Sequence, residues 1–260
     1  MIPLSLTKKK FFLTLSTVKH RRKSGLYGVE GVRALEELIG SAPHTLQAVV
    51  VTENAMGELK HMLPDDCDVY VASAGDMRQL SMLSTPSDVI GYFTVPPNTM
   101  PSVQCGRYGL LLALDGVQDP GNVGTILRLA DWWGVENVVC SDSTADWLNA
   151  KVVQSAMGAL GRVKVSRTAH LATYLREAAS AGCKVYGANL RGDNIYKKVF
   201  DQQGILVMGN EGNGISPEVN AVITDSITIP SYPQGNAHVE SLNVATAAAI
   251  ILSRIRSFAI

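Results

Sequence analysis

From residue 109 onward, short apolar runs alternate with segments of helical spacing, and this alternation constrains the fold more than any other feature. The runs are GLLLAL (109–114), ENVVCSD (136–142), RVKVSR (162–167), KVYGANL (184–190), GILVMG (204–209) and SITIP (226–230). Between and after them lie GTILRLADWWG, NAKVVQSAMGAL, LATYLREAASAG, SPEVNAVI and the long terminal segment SLNVATAAAIILSRIRS. Near-continuous apolar strands separated by helices predict a parallel sheet covered on both faces. An antiparallel sheet with one wet face would instead show strict two-residue alternation.

Upstream the pattern is shorter. GVEGVRALEELIG has apolar residues at helical spacing and stops at Gly40, LQAVVVTE reads as a buried strand, and DVYVAS and DVIGYFTVP as further strands among short helices. PPNTMPSVQCG, with three prolines in eleven residues and no periodicity, places a linker at 97–106. The expected organisation is therefore a basic arm at 1–29, a small α+β domain at 30–96, the linker, and a larger α/β domain at 107–260.

Charge supports the first of these divisions. The chain is neutral overall, yet residues 1–29 hold seven Lys/Arg (Lys8, Lys9, Lys10, Lys19, Arg21, Arg22 and Lys23) and no acid, leaving 16 basic and 23 acidic groups for the rest. A basic segment on a mildly acidic body suits a polyanionic partner; a solubilising tail is the plainer alternative. The four cysteines are widely spaced and histidines are not clustered, so neither a zinc site nor a disulfide framework is expected, and no metal. The start lacks a signal-peptide pattern, and the longest apolar stretch is too short for a bilayer. A soluble, cytoplasmic protein without a membrane partner is expected.

Ligands of such sheets bind beyond the carboxyl ends of the strands, and three loops there are unusual. The first, DPGNVGTILRLADWWG, combines a Pro-Gly turn with Asn122, a glycine at 124 and Arg128 within the helix it opens. The second, MGNEGNGIS, has glycines at 209, 212 and 214, with Ser216 and Pro217 signalling a helix start. Its spacing is not the dinucleotide fingerprint, and it has no phosphate-loop lysine. The third, IPSYPQGNAHVESLNVATAAA, is a Pro/Gly/Asn-rich loop opening a helix of small residues, which ordinarily signals close helix packing.

In this order the three resemble the motifs of the SpoU/TrmH branch of the SPOUT methyltransferases: LDGVQDPGNVGTILRLADWWG the first, LVMGNEGNGIS the second and ITIP with SLNVATAAAI the third. The resemblance spans about residues 108–256. It implies a SPOUT-type α/β knot, a trefoil-knotted parallel sheet flanked by helices, with a small N-terminal RNA-binding domain. It further implies transfer of a methyl group from S-adenosyl-L-methionine to a ribose 2'-hydroxyl of rRNA or tRNA, by a homodimer.

The family pattern assigns adenine recognition to Gly209, Ile229 and Leu242, with Gly212 in the same cofactor loop, and the task of handling the hydroxyl proton to Arg128. Because a guanidinium does not give up its proton in proteins, clamping phosphate or ribose and stabilising the developing oxyanion suits Arg128 better than a base role; a solvated helix arginine paired with Asp131 is the plain alternative. Asn122 is expected to orient Arg128 or the ribose, Glu211 to pair with Arg128 or bind substrate, and Ser241 and Asn243 to act at the start of the last helix, where a cap is the structural alternative. The loop between Pro230 and Ser241 is longer than the family pattern, and His238 within it matches no family position. Trp132 and Trp133 are read as core and interface residues rather than as base-stacking platforms. The rival to catalysis is a non-catalytic RNA-binding protein that keeps the fold as a scaffold.

Overall fold

The computed structural model describes residues 1–41, 45–103, 109–201, 203–233 and 240–257. The chain divides into two compact units, one of Met1–Pro97 with Asp146–Arg162, the other of Asn98–Ala145 with Val163–Ile260. The backbone therefore passes between units three times.

The first unit contains β1 (Ile2–Pro3), α1 (Leu6–Thr14), α2 (Val18–Ser24), β2 (Leu26–Glu30), α3 (Val32–Ser41), β3 (Leu46–Val51), α4 (Met56–Leu59), β4 (Asp68–Val71), α5 (Ala74–Leu80) and β5 (Val89–Thr94). Its mixed sheet has the order β1-β4-β3-β5-β2, with β1, β4 and β3 parallel and β5 antiparallel to β3 and β2. Residues 1–29, set apart above as a basic arm, are built into this unit. Ser5 and Thr17 cap α1 and α2, and Phe12 and Leu15 enter a cluster with Val50, Tyr70, Met77, Ile90 and Tyr92. Phe12 stacks on Tyr92 with ring centroids 3.9 Å apart.

Three of the seven basic residues serve the fold. Lys8 Nζ lies over the Tyr70 ring, 5.3 Å from its centroid. Lys9 pairs with Asp76 at 2.6 Å. Arg21 is 3% exposed, donates to the carbonyl oxygens of Leu15 (2.8 Å) and Ser16 (3.0 Å), and is ion-paired with Asp146. The apolar periodicity of α1 is weak because lysines interrupt it, which is why the sequence suggests an arm where a packed helix forms.

Asp146 opens the later segment of this unit, which holds α7 (Ala150–Ala156) and a 3-10 turn at Met157–Gly161. The turn packs on α3, where the Gly158 amide donates to Glu37 Oε2 at 2.9 Å. A Cβ on Gly161 would collide with the Ser41 side chain, so the close approach needs glycine there.

The second unit carries β6 (Leu110–Asp115), α6 (Pro120–Trp132), β7 (Asn137–Ser141), β8 (Lys164–Thr168), α8 (Leu171–Ser180), β9 (Val185–Asn194), β10 (Gly204–Gly209), α9 (Pro217–Asn220), β11 (Asp225–Thr228) and α10 (Val244–Arg256). The six strands pair in the order β11-β9-β10-β6-β7-β8, and every pairing is parallel. This is the expected doubly covered α/β sheet. β10 is laid down after both of its neighbours and enters between β9 and β6.

Of residues 97–106, expected as a linker, Pro97 belongs to the first unit and 98–103 are strapped to this one; 104–106 lie outside the described residues. The Asn98 side chain exchanges two hydrogen bonds with the Arg167 backbone (2.7 and 3.0 Å). Met100 and Val103 pack against the cluster formed by Leu111, Val139, Leu175 and Val207. Prolines rule out a helix here, but side-chain pairing replaces the missing backbone ladder.

Helices α6 and α10 pack side by side. Asn243, at the start of α10, bonds Asn122 in the first turn of α6, while Arg256 at the far end donates to the carbonyls of Trp133 (2.9 Å) and Gly134 (3.1 Å) just beyond α6. Start meets start and end meets end, so the two 13-residue helices run parallel. Among the described residues no helix is long and apolar enough to cross a membrane, and no cluster of His, Cys, Asp and Glu could hold a metal.

Candidate active site

β6 and β10 are neighbours in register, with Gly209 opposite Asp115, so the first and second unusual loops leave the sheet side by side. Three side chains fasten them. Asp115, buried at the end of an all-apolar strand, accepts the Ser216 amide at 2.7 Å. Asn210 Nδ2 donates to the Gly116 carbonyl at 2.7 Å, and its Oδ1 accepts the Gly212 and Asn213 amides, both at 2.9 Å. Thr144 Oγ1 donates to the Leu114 carbonyl and accepts the Gly116 amide, fixing the turn ahead of α6.

Asn122 is the hub. Its Nδ2 donates to Glu211 Oε1 at 2.9 Å, and its Oδ1 accepts from Asn243 Nδ2 at 2.9 Å. The Gln118 amide makes a longer bond to Glu211 Oε2, 3.4 Å. One side chain thus joins the first, second and third loops, with each amide atom in the role that its partner requires.

Local sequence accounts for this placement. Asp119 caps α6 by accepting the Asn122 amide at 2.9 Å, and Pro120 takes the first helical position, where a missing N–H costs nothing. Asn243 caps α10 through Oδ1, which accepts the amides of Ala245 (3.0 Å) and Thr246 (3.2 Å). Its Nδ2 remains for Asn122, so Asn243 caps α10 and joins the array at once.

Glu211 is bonded to Asn122 and Gln118 rather than to Arg128, which corrects one of its two expected roles. The physical reason lies in placement. Asn122 is in the first turn of α6 beside the second loop, whereas Arg128 stands six residues further along. Arg128 is exposed and makes no hydrogen bond or ion pair among the described residues, so the plain alternative, a pair with Asp131, does not form. Ser241 is exposed and is not the cap of α10.

The four cofactor candidates differ in kind. Gly209 is buried, and a Cβ there would meet the backbone of Gly214 and Ile215, lying 2.6 Å from the Gly214 oxygen. Asn210 and Gly214 exchange both backbone hydrogen bonds (2.8 and 2.9 Å), closing the loop against that glycine. Gly212 is exposed at its tip, Ile229 half-buried, and Leu242, 48% exposed, presents apolar surface next to Asn243. Loop residues 234–239, His238 among them, lie outside the described residues.

Sequence reasoning missed Asp115 and Asn210. Their signals were a lone carboxylate ending an apolar strand and an Asn opening a Gly-rich turn, where its side chain bonds amides two and three residues on. Trp132 is 80% exposed, so it is not a core residue; it falls on the outer side of α6, between buried Ala130 and half-buried Trp133.

Comparison with known proteins agrees with this arrangement. Residues 109–253 match the SpoU rRNA methylase family, and residues 8–91 match the MRM3-like substrate binding domain. The chain is 31% identical over 254 residues to the 23S rRNA (guanosine(2553)-2'-O)-methyltransferase of Bacillus subtilis, covering 96% of both proteins. It is also 31% identical over 193 residues to a 23S rRNA (guanosine-2'-O-)-methyltransferase of Neisseria meningitidis serogroup B, covering 72% of this chain and 76% of that one. Among solved structures, a putative RNA methyltransferase of the TrmH family from Porphyromonas gingivalis superposes with a TM-score of 0.85 at 38% identity, covering 98% and 99% of the two chains. The SpoU methyltransferase AviRb from Streptomyces viridochromogenes, solved in complex with AdoMet, shares the fold at 21% identity with a TM-score of 0.84 and the same coverage. Three loops joined through Asn122 on this sheet, and matches that span nearly the whole chain, lead to one assignment: the chain belongs to the SpoU rRNA methylase family of RNA methyltransferases.

Proposed function

We propose that this chain methylates a ribose 2'-hydroxyl of large-subunit ribosomal RNA in the cytoplasm, with S-adenosylmethionine as donor. The observation that carries this is the Glu211–Asn122–Asn243 array at the start of the helix that further along carries the exposed Arg128, which has no hydrogen bond or ion pair among the described residues. The two relatives above, both named as 23S rRNA 2'-O-methyltransferases, support the choice of atom and of RNA. A binding scaffold has no use for an oriented amide hub or for an unengaged Arg128.

The chain's residues fit the donor. The closed 210–214 turn gives the cofactor loop a fixed backbone, and Leu242 keeps apolar surface next to the same array. When bound, the donor supplies an electrophilic methyl on a sulfonium, and the rest is positioning and the fate of one proton. Arg128 clamps phosphate or ribose through its planar fork and stabilises the alkoxide character that grows on the 2'-oxygen. Asn122 is held on both sides, so it stays in place without reorganising during the reaction. In the first unit Lys8, Lys10, Lys19, Arg22 and Lys23 are exposed, and they provide phosphate contacts that set position and not sequence.

Deproteinised 23S rRNA and tritiated donor test this. A single methylated ribose, resistant to alkaline cleavage, is expected; label on a base instead of a ribose rejects the reading.

The protein acts as a homodimer through α10. Val244, Ala245, Ala248, Ile251, Leu252 and Ile255 of this helix are buried within the unit, while Ala247, Ala249 and Ile250 keep partly open apolar surface. Isologous pairing is the commonest cover for such a face. Sedimentation at micromolar concentration should give twice the monomer mass, and a monomer there ends this part of the proposal.

A further inference from the structure

Trp132 is the most solvent-open tryptophan of the chain at 80%, in contrast to Trp147 at 8%. Exposing an indole sacrifices burial of one of the largest apolar side chains. It stands on α6 four residues beyond Arg128, so the two side chains share one helix face about 6 Å apart at Cβ. Both are exposed, and the guanidinium does not stack on the ring. The same helix carries Asn122 in its first turn, and its far end is pinned where Arg256 holds the carbonyls of Trp133 and Gly134. The backbone that presents the indole is therefore fixed, and little order is lost when something settles on the ring.

We propose that Trp132 is a stacking platform for an unpaired base next to the ribose that Arg128 engages. This rests on the RNA-methylation reading above. RNA sites open to a ribose-modifying enzyme are loops and splayed strands, whose bases stack on aromatic side chains. An arginine for the phosphate and an indole for the neighbouring base, one helical turn apart, match that chemistry. A second copy of the chain covering Trp132 is the competing occupant, and the experiment separates the two.

The full chain is compared with Trp132→Phe and Trp132→Ala. Alanine favours helix, so both variants should fold. Single-stranded oligoadenylate should quench the wild-type indole emission. Trp132→Phe should lose that quenching but bind within about threefold, while Trp132→Ala should bind about tenfold more weakly, the size expected for losing one stacked base. With 23S rRNA, KM of the alanine variant should rise by a similar factor, with kcat and S-adenosylhomocysteine affinity unchanged. Quenching that persists in Trp132→Phe, wild-type affinity in Trp132→Ala, or a lower sedimenting mass for the alanine variant would each overturn the proposal. A wild-type protein that is quenched by oligoadenylate but methylates no ribose would count against the reaction and leave the platform standing.

Discussion

Arg128→Ala should lose methyl transfer by at least a hundredfold to a thousandfold in kcat, the usual effect of removing one donor aimed at developing charge. Its stability and its affinity for S-adenosylhomocysteine should stay near wild type, because Arg128 is exposed and holds no other residue of the described chain. Arg128→Lys should be almost as inactive: a lysine ammonium carries the charge but not the planar, two-pronged geometry. Single-turnover methylation of 23S rRNA together with calorimetry on S-adenosylhomocysteine measures both halves. A lysine variant with near-wild-type turnover would refute the clamp and leave only the positive charge as the requirement.

Gly209→Val should abolish S-adenosylhomocysteine binding for a reason that the sequence did not supply. From sequence, the glycine is one that lets a ligand approach the backbone. In the fold, a Cβ at this position points at Gly214 and Ile215 of its own loop, and backbone atoms cannot swing aside as a flexible side chain could. The loop must open, breaking the paired bonds between Asn210 and Gly214 and displacing Asn210 from the Gly116 carbonyl. Even Gly209→Ala should therefore weaken binding about fivefold to a hundredfold, since overpacking of this kind costs about 1–3 kcal/mol. Calorimetry alongside thermal melting checks this. An alanine variant that binds normally would mean that the loop can relax and that its closure does not shape the site.

The parallel sheet and the three loops were legible because both rest on local signals. Apolar runs such as GLLLAL and GILVMG can be satisfied only inside a sheet covered on both faces, and Gly, Pro and Asn at strand ends announce turns. The hub was only half legible. Asn122 and Asn243 stand 121 positions apart, and no periodicity foretells that one amide will bond the other. Lys9 and Arg21 looked like free cations for the same reason, since Asp76 and Asp146 are distant in the chain. Trp132 misled through composition: an indole is usually buried, and helix phase decides otherwise only once the buried face of α6 is known.

The contribution of Asp146–Arg162 to the first unit also bears on the order in which the chain is made. Synthesis runs from the amino terminus, so the five strands of that unit's sheet are complete well before α7 and the 3-10 turn exist. At about 5–20 residues per second, the 65 residues that separate Pro97 from Arg162 take about 3–13 s to appear. Through most of that interval Arg21 lacks its carboxylate, and through nearly all of it α3 lacks the turn that packs on it. The half-built unit is then a nascent chain with an unmatched buried cation and an uncovered helix, open to chaperones until β6, α6 and β7 have followed it out of the ribosome.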